Sequence, residues 1–290
     1  MHRSLIFVTL SLFAPAGAAT TPEDLGAARA LFDSRRPAEA QRAFELLAAA
    51  DSKNPEINFY LGQLALRRND ADRALAYLDQ AVVAAPTASR YHNALGDAYG
   101  RAAQKASVFN QLGLAKKCLA AYRRAVELEP ANLDFHQSLF EYYRNAPGIA
   151  GGGRDKAVAE ATAMKQLDPS RGRLAFASLH ASEKKYPEAL AEFDEVLKTN
   201  PDEYIALYQV GRLAATTGQF IDRGLSSLRR CLELPGPTAT NTPGHAAVQW
   251  RLGQLLAKKS DPAGARAAYE AAVKLEPGFT PAVDALKKLK

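Results

Sequence analysis

The chain has 290 residues, 47% hydrophobic and 23% charged, with a mean hydropathy of −0.24, which excludes a disordered tail. Two Cys exclude a disulfide framework, and 19 Gly with 16 Pro exclude a collagen-like or low-complexity chain. The 37 basic and 31 acidic residues leave a formal +6, read as scattered along helix-like segments rather than gathered in a block, so no nucleic-acid partner is expected.

Residues 1–19 read as a cleavable signal peptide. Met1, His2 and Arg3 make a basic start, Leu5 to Phe13 an apolar run, and Ala14-Pro15-Ala16-Gly17-Ala18-Ala19 a small-residue exit. A run of nine positions, broken by Thr9 and Ser11, is too short to cross a bilayer, which takes about 20. Neither Cys lies near the cleavage site, so no lipid anchor is expected, and removal of Arg3 leaves +5 on the mature chain. The localisation that follows is periplasmic or secreted, with no integral membrane span in the mature chain.

From there one pattern returns along the chain. A Leu-Gly or Val-Gly pair with an apolar residue three later occurs at Leu61-Gly62, Leu95-Gly96, Val210-Gly211 and Leu252-Gly253. Downstream come two small or apolar residues three apart, and then Pro: Leu78/Ala81/Pro86, Tyr122/Ala125/Pro130, Ala161/Met164/Pro169, Phe193/Val196/Pro201 and Tyr269/Ala272/Pro277. Small residues also pair twelve positions apart (Ala28/Ala40, Gly62/Ala74, Ala177/Ala189, Gly253/Ala265), which lets two antiparallel helices approach closely. Each Pro is expected to end a second helix. No period-two apolar run or hairpin dipeptide argues for a strand.

This pattern resembles the tetratricopeptide repeat, a 34-residue helix–turn–helix unit. The resemblance implies an all-α fold, an α-α superhelix of about seven repeats (21–54, 55–88, 89–132, 133–169, 170–203, 204–237 and 246–279) with a capping helix at 281–290. Residues 20–290 then form one solenoid. The last repeat matches best, through Leu252, Gly253, Leu256, Ala265, Tyr269, Ala272 and Pro277; the first is degenerate, with Ser52 in place of Pro. In the cap, Val283, Leu286 and Leu289 share one face, and Asp284, Lys287, Lys288 and Lys290 the other.

Three places break the period. About ten extra residues fall within 100–117, whose helical composition predicts that both helices lengthen and project. About five more fall within 145–156, and Pro235 to Thr242 reads as a linker. Gly148 and Gly153 have phosphate-loop spacing, but Arg154 and Asp155 stand where Lys and a hydroxyl residue belong, so an inter-helix loop with unusual backbone angles is the better reading.

No chemistry of a catalytic or metal site is composed in the sequence. His92 and His136 stand at an aromatic signature position and His180 at the Tyr position, so each is expected to pack between helices; His245 is placed in the linker. Cys118 and Cys231 stand at small-residue positions and are expected to be separate buried thiols. No catalytic residue, metal or cofactor is assigned, and the chain is not expected to be an enzyme.

The family resemblance further implies that the first helix of each repeat lines a concave groove. Its ligand-facing positions are Phe59, Gln63 and Arg67, then Arg90, Asn93, Asp97 and Arg101, then Gln137, Glu141 and Arg144, then Tyr208 and Arg212, and last Trp250, Gln254 and Lys258. Phe59 and Gln63 stand where chaperone-binding members carry one Lys and Asn pair, so a terminal carboxylate ligand is not expected. The implied function is a scaffold or adaptor of the cell envelope that binds a peptide or protein partner in the groove. The alternative is a fixed structural subunit of an envelope assembly or polysaccharide-export machine, held through the insertions at 100–117 and 145–156.

Overall fold

Helix ends explain much of the architecture. Thr21 opens the first helix with a capping box: its hydroxyl accepts from the Asp24 amide at 3.1 Å, and the Asp24 carboxylate accepts from the Thr21 amide at 3.3 Å. Asn54, Asp70, Asn132, Asp168 and Asp261 cap later helices by accepting from backbone amides two or three residues on. Pro22, Pro37, Pro55, Pro169 and Pro262 occupy first positions, where the missing N–H costs nothing.

The computed structural model describes residues 21–237 and 242–289; the expected targeting segment and the centre of the 235–242 linker lie outside them. The described residues hold 15 α-helices and no strand. They run in pairs: α1 (Pro22–Asp33) with α2 (Pro37–Ala50), α3 (Pro55–Arg67) with α4 (Ala71–Ala84), α5 (Ser89–Lys105) with α6 (Val108–Leu128), and α7 (Leu133–Asn145) before α8 (Arg154–Leu167). Next come α9 (Pro169–Ser182) with α10 (Tyr186–Thr199), α11 (Tyr204–Thr217) with α12 (Ile221–Glu233), α13 (His245–Lys258) with α14 (Pro262–Leu275), and α15 (Thr280–Lys288). Packing divides the chain into two units, one ending at Gly153 and the other beginning at Arg154.

The turn inside a pair is built the same way in both units. Arg35, Asn69, Lys184 and Ser260 each adopt a left-handed conformation with φ between 57° and 61°. The next amide then reaches back to a carbonyl five residues earlier: Arg36 to Leu31, Asp70 to Ala65, Lys185 to His180 and Asp261 to Leu256, at 2.9 to 3.1 Å. That is the Schellman closure, which satisfies carbonyls a helix end would otherwise leave bare.

Small residues set the helix–helix distance, though their partners differ from the twelve-residue pairing. A Cβ at Gly62 would lie 2.5 Å from Leu78, and one at Gly253 would lie 2.4 Å from the Tyr269 ring. Each glycine is the floor under a large side chain of the second helix; Gly96 under Tyr122 and Gly211 under Leu228 repeat the arrangement. Ala74 and Ala265, the expected partners, are fully buried beside that contact.

Two local expectations change. Pro169 does not merely follow α8 but starts α9, and Gly172 packs so tightly that a Cβ there would sit 2.2 Å from Lys165 Cα. His245 is the first residue of α13, stacked on Tyr204 with ring centroids 6.2 Å apart, rather than a linker residue. In the glycine-rich loop, Gly148–Ala150 form one 3-10 turn, and Gly151 and Gly153 take φ of +91° and +145°. These angles are accessible to glycine and strained for other residues, in line with a connecting loop. In the cap, Ala282 is fully buried, Val283 and Leu286 are half-buried, and Asp284, Lys287 and Lys288 face water.

The glycines yield a paired test. Gly62→Ala forces a methyl against buried Leu78 and should destabilise by about 1–3 kcal/mol, whereas Gly26→Ala, in α1 with open space around it, should stabilise by up to about 1 kcal/mol. Urea unfolding should show midpoints moving in opposite directions; like signs would mean that the glycine floor does not set the packing.

Candidate partner-binding face

First helices pack on first helices within each unit: α3 on α5, and α11 on α13. Among the described residues, no two second helices of neighbouring repeats meet to the same extent, so the first-helix layer is the tighter, inner side of each unit. Side chains on it converge.

In the first unit the convergence involves α1, α3 and α5. Glu56, on the first turn of α3, pairs with Arg29 of α1 and, at 3.2 Å, with Arg90 of α5. The Arg90 guanidinium lies 5.0 Å from the ring centroids of both Phe59 and Tyr91, and donates to the Tyr91 hydroxyl at 3.2 Å. Phe59 and Tyr91 are themselves 5.0 Å apart, and Phe59 meets Tyr60 edge-on at 5.2 Å. Arg67 lies 3.8 Å above Phe32. Two arginines thus face one carboxylate across an aromatic floor, a surface with net positive charge and cation–π order. Burial raises the Tyr60 pKa, so this phenol stays neutral.

The other expected groove residues of this unit fall into three states. Gln63 and Asn93 are half-buried, and the Asn93 Oδ1 is buried without a hydrogen bond. Asp97 is spent inward: its carboxylate accepts from the Tyr122 hydroxyl at 2.7 Å, and burial raises its pKa. Arg101 stays exposed on the next turn. In α7, Gln137 donates to Glu141 at 3.0 Å, Arg144 pairs with the same carboxylate, and Asn145 donates to it at 3.2 Å, so Glu141 is already saturated.

In the second unit Tyr208 is only 6% exposed, packed among α11 core residues, so it is a core residue and not a groove residue. Arg212 is exposed and donates to Gln209 at 2.5 Å. Trp250 is half-buried, edge-on to Phe279 at 6.0 Å, with the Arg251 guanidinium 4.1 Å above it. Arg251 also donates to Gln254 at 3.0 Å, and Lys258 is exposed.

The sequence reading missed Arg29, Glu56 and Tyr91. A signal existed for Glu56, which stands 34 residues before Arg90, one repeat away on the same helical position. It also missed why polar residues recur early in first helices. His92 Nε2 bonds the Pro86 carbonyl, His136 Nε2 the Pro130 carbonyl, and Asn58 Nδ2 the Ser52 carbonyl, each at 2.9 Å and six residues back. Each ties the preceding inter-repeat turn to the helix it leads into. Cys118 and Cys231 are buried free thiols, both pushed up to about 12 by burial. Among the described residues no cluster of three His, Cys, Asp or Glu could hold a metal ion, and no helix is long and apolar enough to cross a membrane.

Antiparallel helix pairs with Schellman turns and glycine floors, stacked first helix on first helix, define an α-solenoid of helix–turn–helix repeats. One tetratricopeptide repeat model matches residues 25–89, 174–221 and 219–278, and a second matches 102–132; the chain belongs to the tetratricopeptide repeat family. No curated protein matches the sequence. Among solved structures, a tetratricopeptide repeat protein from Parabacteroides merdae ATCC 43184 is 15% identical, with a TM-score of 0.62 over 92% of this chain and 97% of that one. A thermophilic protein of the same family from Thermus thermophilus is 21% identical, with a TM-score of 0.52 over 72% of this chain and 98% of that one. Human IFIT1, in a dimer with PPP-AAAA, is 18% identical, with a TM-score of 0.54 over 87% of this chain and 54% of that one. At these identities the likeness is one of fold.

The buried Asp97 gives a second test. Asp97→Asn keeps an acceptor for Tyr122 without a buried charge, so it should be at least as stable as the parent at neutral pH. Asp97→Ala orphans the hydroxyl and should lose about 1–3 kcal/mol. Because the folded pKa is raised, the stability it contributes is complete below the unfolded value and lost as pH rises through the folded one. The advantage of Asn should therefore shrink as pH falls toward about 4; a pH-independent difference in urea midpoints would contradict the assignment.

Proposed function

We propose that the chain is a non-enzymatic interaction scaffold of the cell envelope that binds an extended peptide or protein segment on its first-helix face. The tetratricopeptide fold suggests a protein interaction scaffold, and proteins of this family are in general non-catalytic. The observation that carries the reading is the Arg29–Glu56–Arg90 cluster over Phe59 and Tyr91. Arg is enriched at binding hot spots; Arg90 is exposed and Phe59 half-buried above the buried Tyr91, and two guanidiniums sharing one carboxylate leave donors for an acidic or carbonyl-rich segment. In the second unit Trp250, with the Arg251 guanidinium 4.1 Å above its ring, offers a similar Arg and aromatic combination, and Arg212 is exposed.

The test is crosslinking capture from envelope extract with the chain lacking residues 1–19, beside Phe59→Ser/Arg90→Glu and Trp250→Ala/Arg212→Glu. A partner enriched by the parent should be lost, or weakened at least about tenfold, with the first double variant, since hot-spot truncation costs about 2 kcal/mol or more. Equal capture by parent and both variants would sink the groove reading.

The envelope assignment is part of the proposal and rests on the basic, apolar and small-residue order of the first 19 residues. Expressed with its full N-terminus in a bacterium, the chain should be recovered from the periplasm beginning at Ala19 or Thr20. A cytoplasmic product retaining Met1 would refute it.

A further inference from the structure

The α5–α6 pair departs from its neighbours in length, charge and exposed apolar surface. The α5 helix has 17 residues and α6 has 21, against 12 to 14 in the other paired helices. At 1.5 Å per residue the surplus extends the hairpin by roughly 5–10 Å. From Gln104 to Gln111 every residue is exposed except the half-buried Ala106. At the apex Phe109 is 96% exposed and Val108 79%, whereas Phe44, Phe135, Phe140 and Phe193 all lie in the core.

The charge of the same hairpin corrects the reading of scattered basic residues. Between Asp97 and Glu127 stand six Lys and Arg and no acidic residue, while the rest of the chain balances, 31 basic against 31 acidic. The α5–α6 pair as a whole, residues 89–128, holds seven basic and two acidic residues, so most of the formal excess of the protein lies on it. Lys105 ends α5 beside the apex and Arg101 lies one turn below it. Lys116 is seven residues after Phe109 on α6, two turns along the same face, with Lys117 beside it. The collar thus lies about 10 Å from the apex, within a Debye length of whatever the apex enters.

We propose that this prong docks on an anionic phospholipid bilayer, with Val108 and Phe109 entering the headgroup boundary and Arg101, Lys116 and Lys117 meeting lipid phosphates, while the Lys105 ammonium donates to the Asn69 carbonyl. Two apolar side chains at a narrow tip offer far less than the roughly 800 Å² per partner of a stable protein interface. They suffice for shallow insertion when a laterally extended anionic surface supplies the remaining attraction. A collar of one sign around an exposed aromatic suits a surface of the opposite sign, and the apex lies at the far end of α5 from Arg90, so it leaves that face open. The scaffold would then be held at a membrane without a span.

The experiment uses residues 20–290, which contain every described helix, with vesicles of phosphatidylcholine alone or with phosphatidylglycerol added. The chain should co-sediment with anionic vesicles at least about tenfold more strongly than with neutral ones, and added salt should weaken it. Phe109→Trp should show a blue-shifted emission, quenched by brominated lipid, on anionic vesicles only. Val108→Ser/Phe109→Ser, whose thermal melt should match the parent because both sites are exposed, should lose about tenfold or more in partition. Lys116→Glu/Lys117→Glu should do the same, and serves should the first variant melt early. Equal binding to neutral vesicles, unchanged partition of both variants, or a Phe109→Trp shift that follows protein concentration without lipid would overturn the proposal. The last result would mean that a second copy covers the apex. Capture of an envelope protein through Phe109 in the absence of lipid would overturn it as well.

Discussion

The structure depends on one steric constraint: two antiparallel helices must come close enough for a large side chain of the second to rest on the bare backbone of the first. Gly62 under Leu78 and Gly253 under Tyr269 show it in the two units, with no room for a methyl group. Glycine inside a helix costs about 1 kcal/mol relative to alanine. The cost is offset because Leu78 is fully buried and Tyr269 nearly so, each worth more in apolar burial than the helix loses in propensity. Everything outward of that contact follows from it, since the helix separation sets which positions stay exposed on the first-helix face.

A second layer of regularity lies in the backbone and fixes direction. The residue after each of four first helices takes the same left-handed φ within a few degrees, and the amide that follows it satisfies the carbonyl at the same position of the preceding helix. Between repeats, Asn58, His92 and His136 reach six residues back to a turn carbonyl. Three different side chains perform one task because each offers a donor at the same height above the helix start. The imidazoles are therefore structural members of the solenoid, and the interior holds them through a hydrogen bond that water would otherwise supply.

The binding face shows how an average family position and an actual side chain diverge. Tyr208 occupies a position that faces ligand in the family, yet it closes the core of the second unit beside Leu207 and Leu225. Asp97 points inward because Tyr122 supplies a hydroxyl within reach, and Glu141 is consumed by three neighbours on its own helix. Phe59 and Arg90 do remain on the face, and their partners Glu56, Arg29 and Tyr91 come from adjacent turns and adjacent repeats. Such pairings depend on the rotation between repeats, a quantity that no single repeat encodes.

What the sequence determined by itself is periodic: helix, turn and small-residue positions recur, and each is set by interactions within about one repeat, so they were legible as a pattern of residue types. The lengthening of α5 and α6 was legible too, because inserted residues of helical composition extend a helix along its own axis. Only the tertiary structure decided which large side chain covers each glycine, which face residues are already spent on neighbours, and that Phe109 stands exposed at the tip of a basic run that the sequence itself displays. Those outcomes depend on distances between segments far apart in the chain, and residue spacing carries no such distances until the helices have packed.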